Sequence, residues 1–273
     1  MRAFGLVDSW PVDDAAVAVI DRSGEIRLHG DETREFRLAS VTKLIAAWSL
    51  LVACEEGTVS LADEAGREGC TLRHLLAHAG GFPFEGDAPV GAVGARRIYS
   101  NTGYELAAAH LAARSEMDFW EYADGAVFEP LGIVSSAQSG SAAKDARLDI
   151  VNLSLFLAEL RRPRLVSRDT FVDAVTPQFG ELEGVVPGVG HFVPCQWGLG
   201  PEIRGAKSPH WTSPANSAAT YGHFGGSGTF VWVDPLADVA CAVLTNREFD
   251  EWALAHWPEF STAVLDDTRR TAN

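Results

Sequence analysis

Residues 36–53 read FRLASVTKLIAAWSLLVA. Ser40 and Lys43 stand at the start of this run, which is otherwise almost wholly apolar. On a helix, residues at i and i+3 share a face one turn apart, so a helix beginning near Ser40 sets a hydroxyl beside an ammonium group. A serine hydroxyl is a weak nucleophile until a base lies within hydrogen-bond reach. A helix N-terminus disfavours nearby positive charge, which helps bring a lysine toward its neutral, proton-accepting form. The same residues have a plainer reading, with Ser40 as a helix N-cap and Lys43 as a solvated first-turn charge. The pair alone does not decide between them. About one S-x-x-K arises by chance in a chain of this size, and a second, SAAK, runs from Ser141 to Lys144.

The surroundings narrow the choice. The chain has 273 residues, 47% of them hydrophobic, which is enough for a sizeable core in one large domain or two small ones. A formal charge of -15 repels polyanions and so disfavours nucleic acid and anionic membrane surfaces as partners. The opening MRAFGLVDSWPVDDAAVAVID lacks a basic start followed by an apolar stretch, and no segment has the ~20 apolar residues of a membrane span, so the protein reads as cytoplasmic. Cys54, Cys70, Cys195 and Cys241 lack metal-site spacing and are expected to be free, mostly buried thiols.

Residues 15–30, AAVAVIDRSGEIRLHG, read as a β-hairpin turning at Arg22-Ser23-Gly24. GTFVWVDPLADVACAVLTN gives a second hairpin turning at Pro235–Asp238, followed by a helix from about Glu251 to Arg269. Between them, apolar residues recur at helical spacing in TLRHLLAHAGG, NTGYELAAAHLAARSEMDFWEYADGAVFEPLG and DARLDIVNLSLFLAELRR. Residues 180–220 read as extended loop with short strands. An α+β fold is expected. One antiparallel sheet is made by the two ends (about 1–38 and 190–273), with flanking helices, and a helical lobe (about 39–189) is inserted between them.

Two further motifs follow Ser40 and Lys43. Tyr99-Ser100-Asn101 lies in RRIYSNTGYELAAAHLAA and is the only Y-x-N of the chain; His223-Phe224-Gly225 lies in YGHFGGSGTFVWVDP. In this order the motifs resemble those of the serine β-lactamases and penicillin-binding-protein-like hydrolases, in the branch of class C β-lactamases, D-aminopeptidases and related esterases. There the sequence runs S-x-x-K, Y-x-N, then K-T-G or H-x-G. Order removes the decoys, since Ser141 follows the tyrosine motif and His78-Ala79-Gly80 precedes it. The connecting segments TLRHLLAHAGGFP, VFEPLGI, LVSRDTFVDAVTPQF and QWGLG also resemble the family's. The SAAK segment falls where the family has a structural helix, so Ser141 is read as a helix start.

The resemblance implies a β-lactamase/transpeptidase-like fold in a single domain over 1–273. It implies that Ser40 attacks an ester or amide carbonyl, Lys43 and Tyr99 share the proton transfer, and the backbone N–H groups of Ser40 and Gly226 form the oxyanion hole. Asn101, His223 and Gly225 would contact substrate, Asn101 either on the acyl side or by holding Lys43. Lys43 is the cation that could favour a Tyr99 phenolate. The partner is a small-molecule ester or amide, and neither cofactor nor metal is implied. Arg96 and Arg97 read as solvated loop charges, and Trp197, Trp211 and Phe224 as cleft-lining or core aromatics. Histidine at 223 departs from the usual lysine and is largely neutral at pH 7. That departure favours an esterase-like or small-amide hydrolase over a β-lactamase or D-amino-acid peptidase. With no glutamate-bearing loop evident, deacylation falls to Tyr99 or Lys43. The alternative of another class is a binding or regulatory protein that keeps the fold without turnover, and the intact Ser40, Lys43 and Tyr99 argue against it.

Overall fold

Successive side chains of a strand point to opposite faces, so a strand covered on both sides reads as an unbroken apolar run. The terminal strands have this pattern. In Ala15–Ile20, Ala16, Ala18 and Ile20 enter one core while Val17 and Val19 enter another. In Val239–Thr245, Ala240, Ala242 and Leu244 join the first core while Cys241 and Val243 join the second. The computed structural model describes residues 1–134 and 136–270.

In chain order the elements are α1 (Arg2–Val7), β1 (Ala15–Ile20), β2 (Ile26–Gly30), β3 (Phe36–Arg37), α2 (Thr42–Glu55), α3 (Leu72–Leu76), α4 (Asn101–Ser115), α5 (Phe119–Ala123) and α6 (Glu129–Leu131). They continue with β4 (Arg147–Leu148), α7 (Ile150–Arg161), α8 (Arg168–Ala174), β5 (Gly184–Val186), β6 (Gly190–Phe192), β7 (Glu202–Ile203), β8 (Tyr221–Gly225), β9 (Thr229–Asp234), β10 (Val239–Thr245) and α9 (Glu251–Arg270). One six-stranded sheet has the order β2-β1-β10-β9-β8-β7, antiparallel throughout. The N-terminal hairpin is thus sealed against the C-terminal one through the β1–β10 pair, as expected. Helices α1 and α9 pack on one face through Ala3, Val7, Trp257 and Phe260. Helices α2, α4 and α7 belong to the core on the other.

Helix α2 is buried on every side from Thr42 to Ala53. A helix that is apolar all round belongs in the interior, and truncating a residue such as Leu44 or Leu51 to alanine there costs about 2–5 kcal/mol. This burial makes α2 a rigid mount for what precedes it. Helix α1 carries no signal used in the sequence reading. The four cysteines are free, and all but Cys54 are buried. Among the described residues no helix is long and apolar enough to cross a membrane.

Candidate active site

Residues Ala39–Val41 form one 3₁₀ turn leading into α2, whose cap position is Val41 with no side-chain capping bond. Ser40 is therefore not an N-cap, and its hydroxyl is left for other work. Ala39, just before it, has φ +44°, a left-handed conformation uncommon for a residue with a Cβ. The turn is clamped from the sheet: Ser227 Oγ donates to the Arg37 carbonyl at 2.6 Å and Thr229 Oγ1 to the Leu38 carbonyl at 2.9 Å. Gly225 is required at the same junction, because a Cβ there would run into the Leu38 carbonyl oxygen and Thr229 Oγ1.

Lys43 has no exposed surface, which excludes the solvated-charge reading. Its Nζ lies 3.3 Å from Ser40 Oγ, 2.6 Å from Asn101 Oδ1 and 3.0 Å from the Ala143 carbonyl oxygen. Burial lowers its pKa to about 7, with the Glu105 carboxylate opposing that fall most. A neutral amine has two N–H bonds and one lone pair. Asn101 and Ala143 can take the two hydrogens, which leaves the lone pair for the Ser40 hydroxyl. The ammonium form would use the same three partners, so protonation needs no rearrangement.

Helix α4 begins at the second motif. Ser100 is the N-cap, accepting from Gly103 N at 2.8 Å and donating to the Pro83 carbonyl at 2.6 Å. The capping role thus falls to Ser100, and Asn101 in the first turn is free to hold Lys43. Burial pushes the Tyr99 phenol well above its usual value, and a hydrogen bond with Ser40 opposes this only in part. Lys43 Nζ sits over the Tyr99 ring, 4.8 Å from its centroid. Burial thus favours the neutral phenol where a Lys43-stabilised phenolate was expected.

His223 on β8 places Nδ1 2.7 Å from the Phe224 carbonyl oxygen, so Nδ1 carries the hydrogen. Nε2 then faces the Tyr99 hydroxyl at 3.4 Å as an acceptor. Burial, with Lys43 nearby, lowers His223 to about 3. Gly226 opens the turn between β8 and β9, and a Cβ there would meet nothing within 4 Å.

Ser40, Phe84 and Gly226 sit where two compartments meet. One, about 220 Å³, is apolar and is bounded by Tyr99, Val186, Pro187, Trp197, Phe224 and Phe249. The other, about 770 Å³, is polar and is bounded in part by Arg37, Asn101, Lys144 and Arg147. Trp197 and Phe224 thus line the cleft, whereas Trp211 is buried behind Phe224 with its indole N–H on Glu202 at 2.6 Å. Among the described residues no three His, Cys, Asp or Glu side chains gather as a metal site.

Two expectations are corrected. Arg97 is buried, not solvated: its guanidinium donates to the carbonyls of Ala77, Gln178 and Cys195, tying together the loops behind Tyr99. Arg96 is exposed, as expected. Ser141 does not start a helix, because α7 begins at Ile150 under an Asp149 cap. Ser141 lies at a turn, bonded to Glu105 and to Ala143 N. That turn supplies the Ala143 carbonyl to Lys43 from 100 residues away, which no local spacing announces. His78 was also set aside. It is buried, accepts from Ser100 N at 3.1 Å through Nδ1, and packs tilted against Tyr99 with ring centroids 4.5 Å apart. Glu85 bonds Asn101 Nδ2 at 3.3 Å and Lys144 at 2.6 Å.

The sequence model of the Beta-lactamase family matches residues 11–263. Among solved structures, a protein from Mycobacterium bovis described as a beta-lactamase is 46% identical, with 97% of this chain and 99% of that one covered and a TM-score of 0.95. A variant of simvastatin synthase from Aspergillus terreus is 18% identical over 98% of this chain and 96% of that one, with a TM-score of 0.78. The octameric penicillin-binding protein homologue from Pyrococcus abyssi is 18% identical over 96% of this chain and 75% of that one, with a TM-score of 0.75. The last two share the fold. No curated protein matches the chain. With its antiparallel sheet and helices arranged as in these relatives, the chain belongs to the beta-lactamase family.

Proposed function

We propose that this protein is a serine hydrolase that works through an acyl-serine on a small ester or amide. One observation carries this reading: a lysine brought to about 7 by burial lies 3.3 Å from a serine hydroxyl at the junction of two compartments. Lys43 takes the Ser40 proton as Oγ bonds to the substrate carbonyl carbon. The N–H groups of Ser40 and Gly226 hold the oxyanion. Its collapse breaks the C–O or C–N bond, and the leaving group takes a proton from the Lys43 ammonium through the Tyr99 phenol. Water then adds to the acyl carbon as Lys43 takes its proton; the second oxyanion collapses, the C–Oγ bond breaks, and Lys43 returns the proton to Ser40, leaving the free acid. Asn101 keeps Lys43 on station, and His223 orients Tyr99 while Gly225 lets the strand approach Ser40.

The 46%-identical relative described as a beta-lactamase supports a second reading, hydrolysis of β-lactams. Against it, His223 is neutral and both its ring nitrogens face other groups, so it offers no cation to a substrate carboxylate. The deciding experiment compares wild type and Ser40→Ala on 4-nitrophenyl acetate and on nitrocefin. Ester turnover lost in the variant supports the esterase-like reading. Turnover confined to nitrocefin supports the second, and equal turnover by both proteins defeats both.

A further inference from the structure

The polar compartment beside Ser40 has cationic walls on a protein of formal charge -15. Arg34, Arg37, Lys144 and Arg147 line it against Glu35, Glu85 and Glu248, four cations to three carboxylates. Two of the cations are already matched: Arg34 pairs with Asp14 at 2.5 Å and Lys144 with Glu85 at 2.6 Å. Arg37 and Arg147 have no ion pair within 4 Å among the described residues. They are also direct partners in the two-stranded β3–β4 ribbon, Arg37 opposite Arg147. Side chains directly opposite across an antiparallel pair share a face, and like charges there repel. Glu35, whose carboxyl feels the Arg147 charge, is already engaged by the Ser136 N–H and hydroxyl.

From this juxtaposition we infer that Arg37 and Arg147 form an anion subsite, and that the natural substrate is an ester or amide bearing a carboxylate or similar anionic group. The anion settles between two guanidinium groups, each a planar donor fork suited to bidentate contact. It relieves their repulsion and holds the substrate across Ser40, with its apolar part in the compartment of Trp197, Phe224 and Phe249. This inference rests on the hydrolase reading. It also assigns charge recognition to the ribbon, where the neutral His223 does not supply it.

The test uses two matched pairs of esters. In one the anion is on the acyl half, as the 4-nitrophenyl monoester of adipic acid against 4-nitrophenyl hexanoate. In the other it is on the alcohol half, as 4-carboxyphenyl butyrate against 4-carbamoylphenyl butyrate. The readout is the ratio of kcat/KM for the charged ester to that for the neutral one. Comparing this ratio between proteins cancels the intrinsic reactivity of each ester. In R37Q, R147Q and the double variant the ratio should fall about tenfold or more for at least one pair, as expected from losing a charged hydrogen bond. Arg147→Glu should drive it lower still. The pair affected tells which half carries the anion. Thermal melts of the variants should be no lower than wild type, since the repulsion is removed. A ratio unmoved by all four variants in both pairs overturns the inference while leaving the hydrolase intact. If wild type and Ser40→Ala turn over the neutral esters equally, the hydrolase reading fails and the inference falls with it.

Discussion

Asn101 Oδ1 accepts a hydrogen bond from Lys43 Nζ at 2.6 Å across 58 residues of sequence. The bond places a neutral acceptor beside a buried amine, so burial, only partly offset by the carboxylates of Glu105 and Glu85, brings the lysine's pKa to about 7. Activity that needs the neutral amine should fall about tenfold per pH unit below this value and level off above it. Asn101→Asp puts a carboxylate at the same place, which favours the ammonium form and raises the pKa by about 1–3 units. The acidic limb of kcat/KM should move to higher pH, with a loss at pH 7 of about tenfold or more. An unmoved limb would show that Lys43 is not the titrating base.

The same burial makes Lys43 costly to the fold. Its folded pKa of about 7 lies below the ordinary 10.5, so between these values the unfolded chain binds more protons than the native one. Stability therefore rises with pH across that window, and the penalty is fully present below about 7. Lys43→Met removes this term. The variant should be inactive, yet more stable than wild type at pH 6, with the gap narrowing toward pH 10 in urea titrations. A gap that does not depend on pH would mean that Lys43 is not depressed.

Neighbouring glycines make a contrast. Gly225→Ala forces a Cβ against the Leu38 carbonyl and Thr229 Oγ1, a strain of about 1–3 kcal/mol, and pushes the turn carrying Ser40 off the sheet. Gly226→Ala has open space and keeps its N–H. Melting temperature should drop for the first and hold for the second, with activity falling in both: by displacement of Ser40 in one, by a methyl group intruding on the cleft in the other. Full activity in Gly226→Ala would remove that residue from the substrate's path.

How much of this was legible in sequence follows from the range of each interaction. The hairpins of β1–β2 and β9–β10 are local, announced by short apolar runs and turn residues, and the pairing of the two ends followed from where they lie. Ser40, Lys43, Tyr99, Asn101 and His223 could be singled out because their motifs keep an order along the chain, and the fold brings them together. Arg97 was misread because its partners, the carbonyls of Ala77, Gln178 and Cys195, are backbone groups with no residue-type signature. Ala143 and His78 escaped for a similar reason: a carbonyl and a buried ring act through placement, and both lay in segments that first presented themselves as false motifs. The state of Tyr99 turned on burial, which the motif pairing of Tyr99 with the Lys43 cation does not report.

The central claim is that Ser40 is the nucleophile. Intact-protein mass spectrometry after exposure to a fluorophosphonate, with the adduct mapped by peptide digestion, measures this directly. One adduct on Ser40 in wild type, none in Ser40→Ala, and labelling that weakens below about pH 7 is the predicted result. Failure of wild type to label, or equal labelling of the variant, would contradict it.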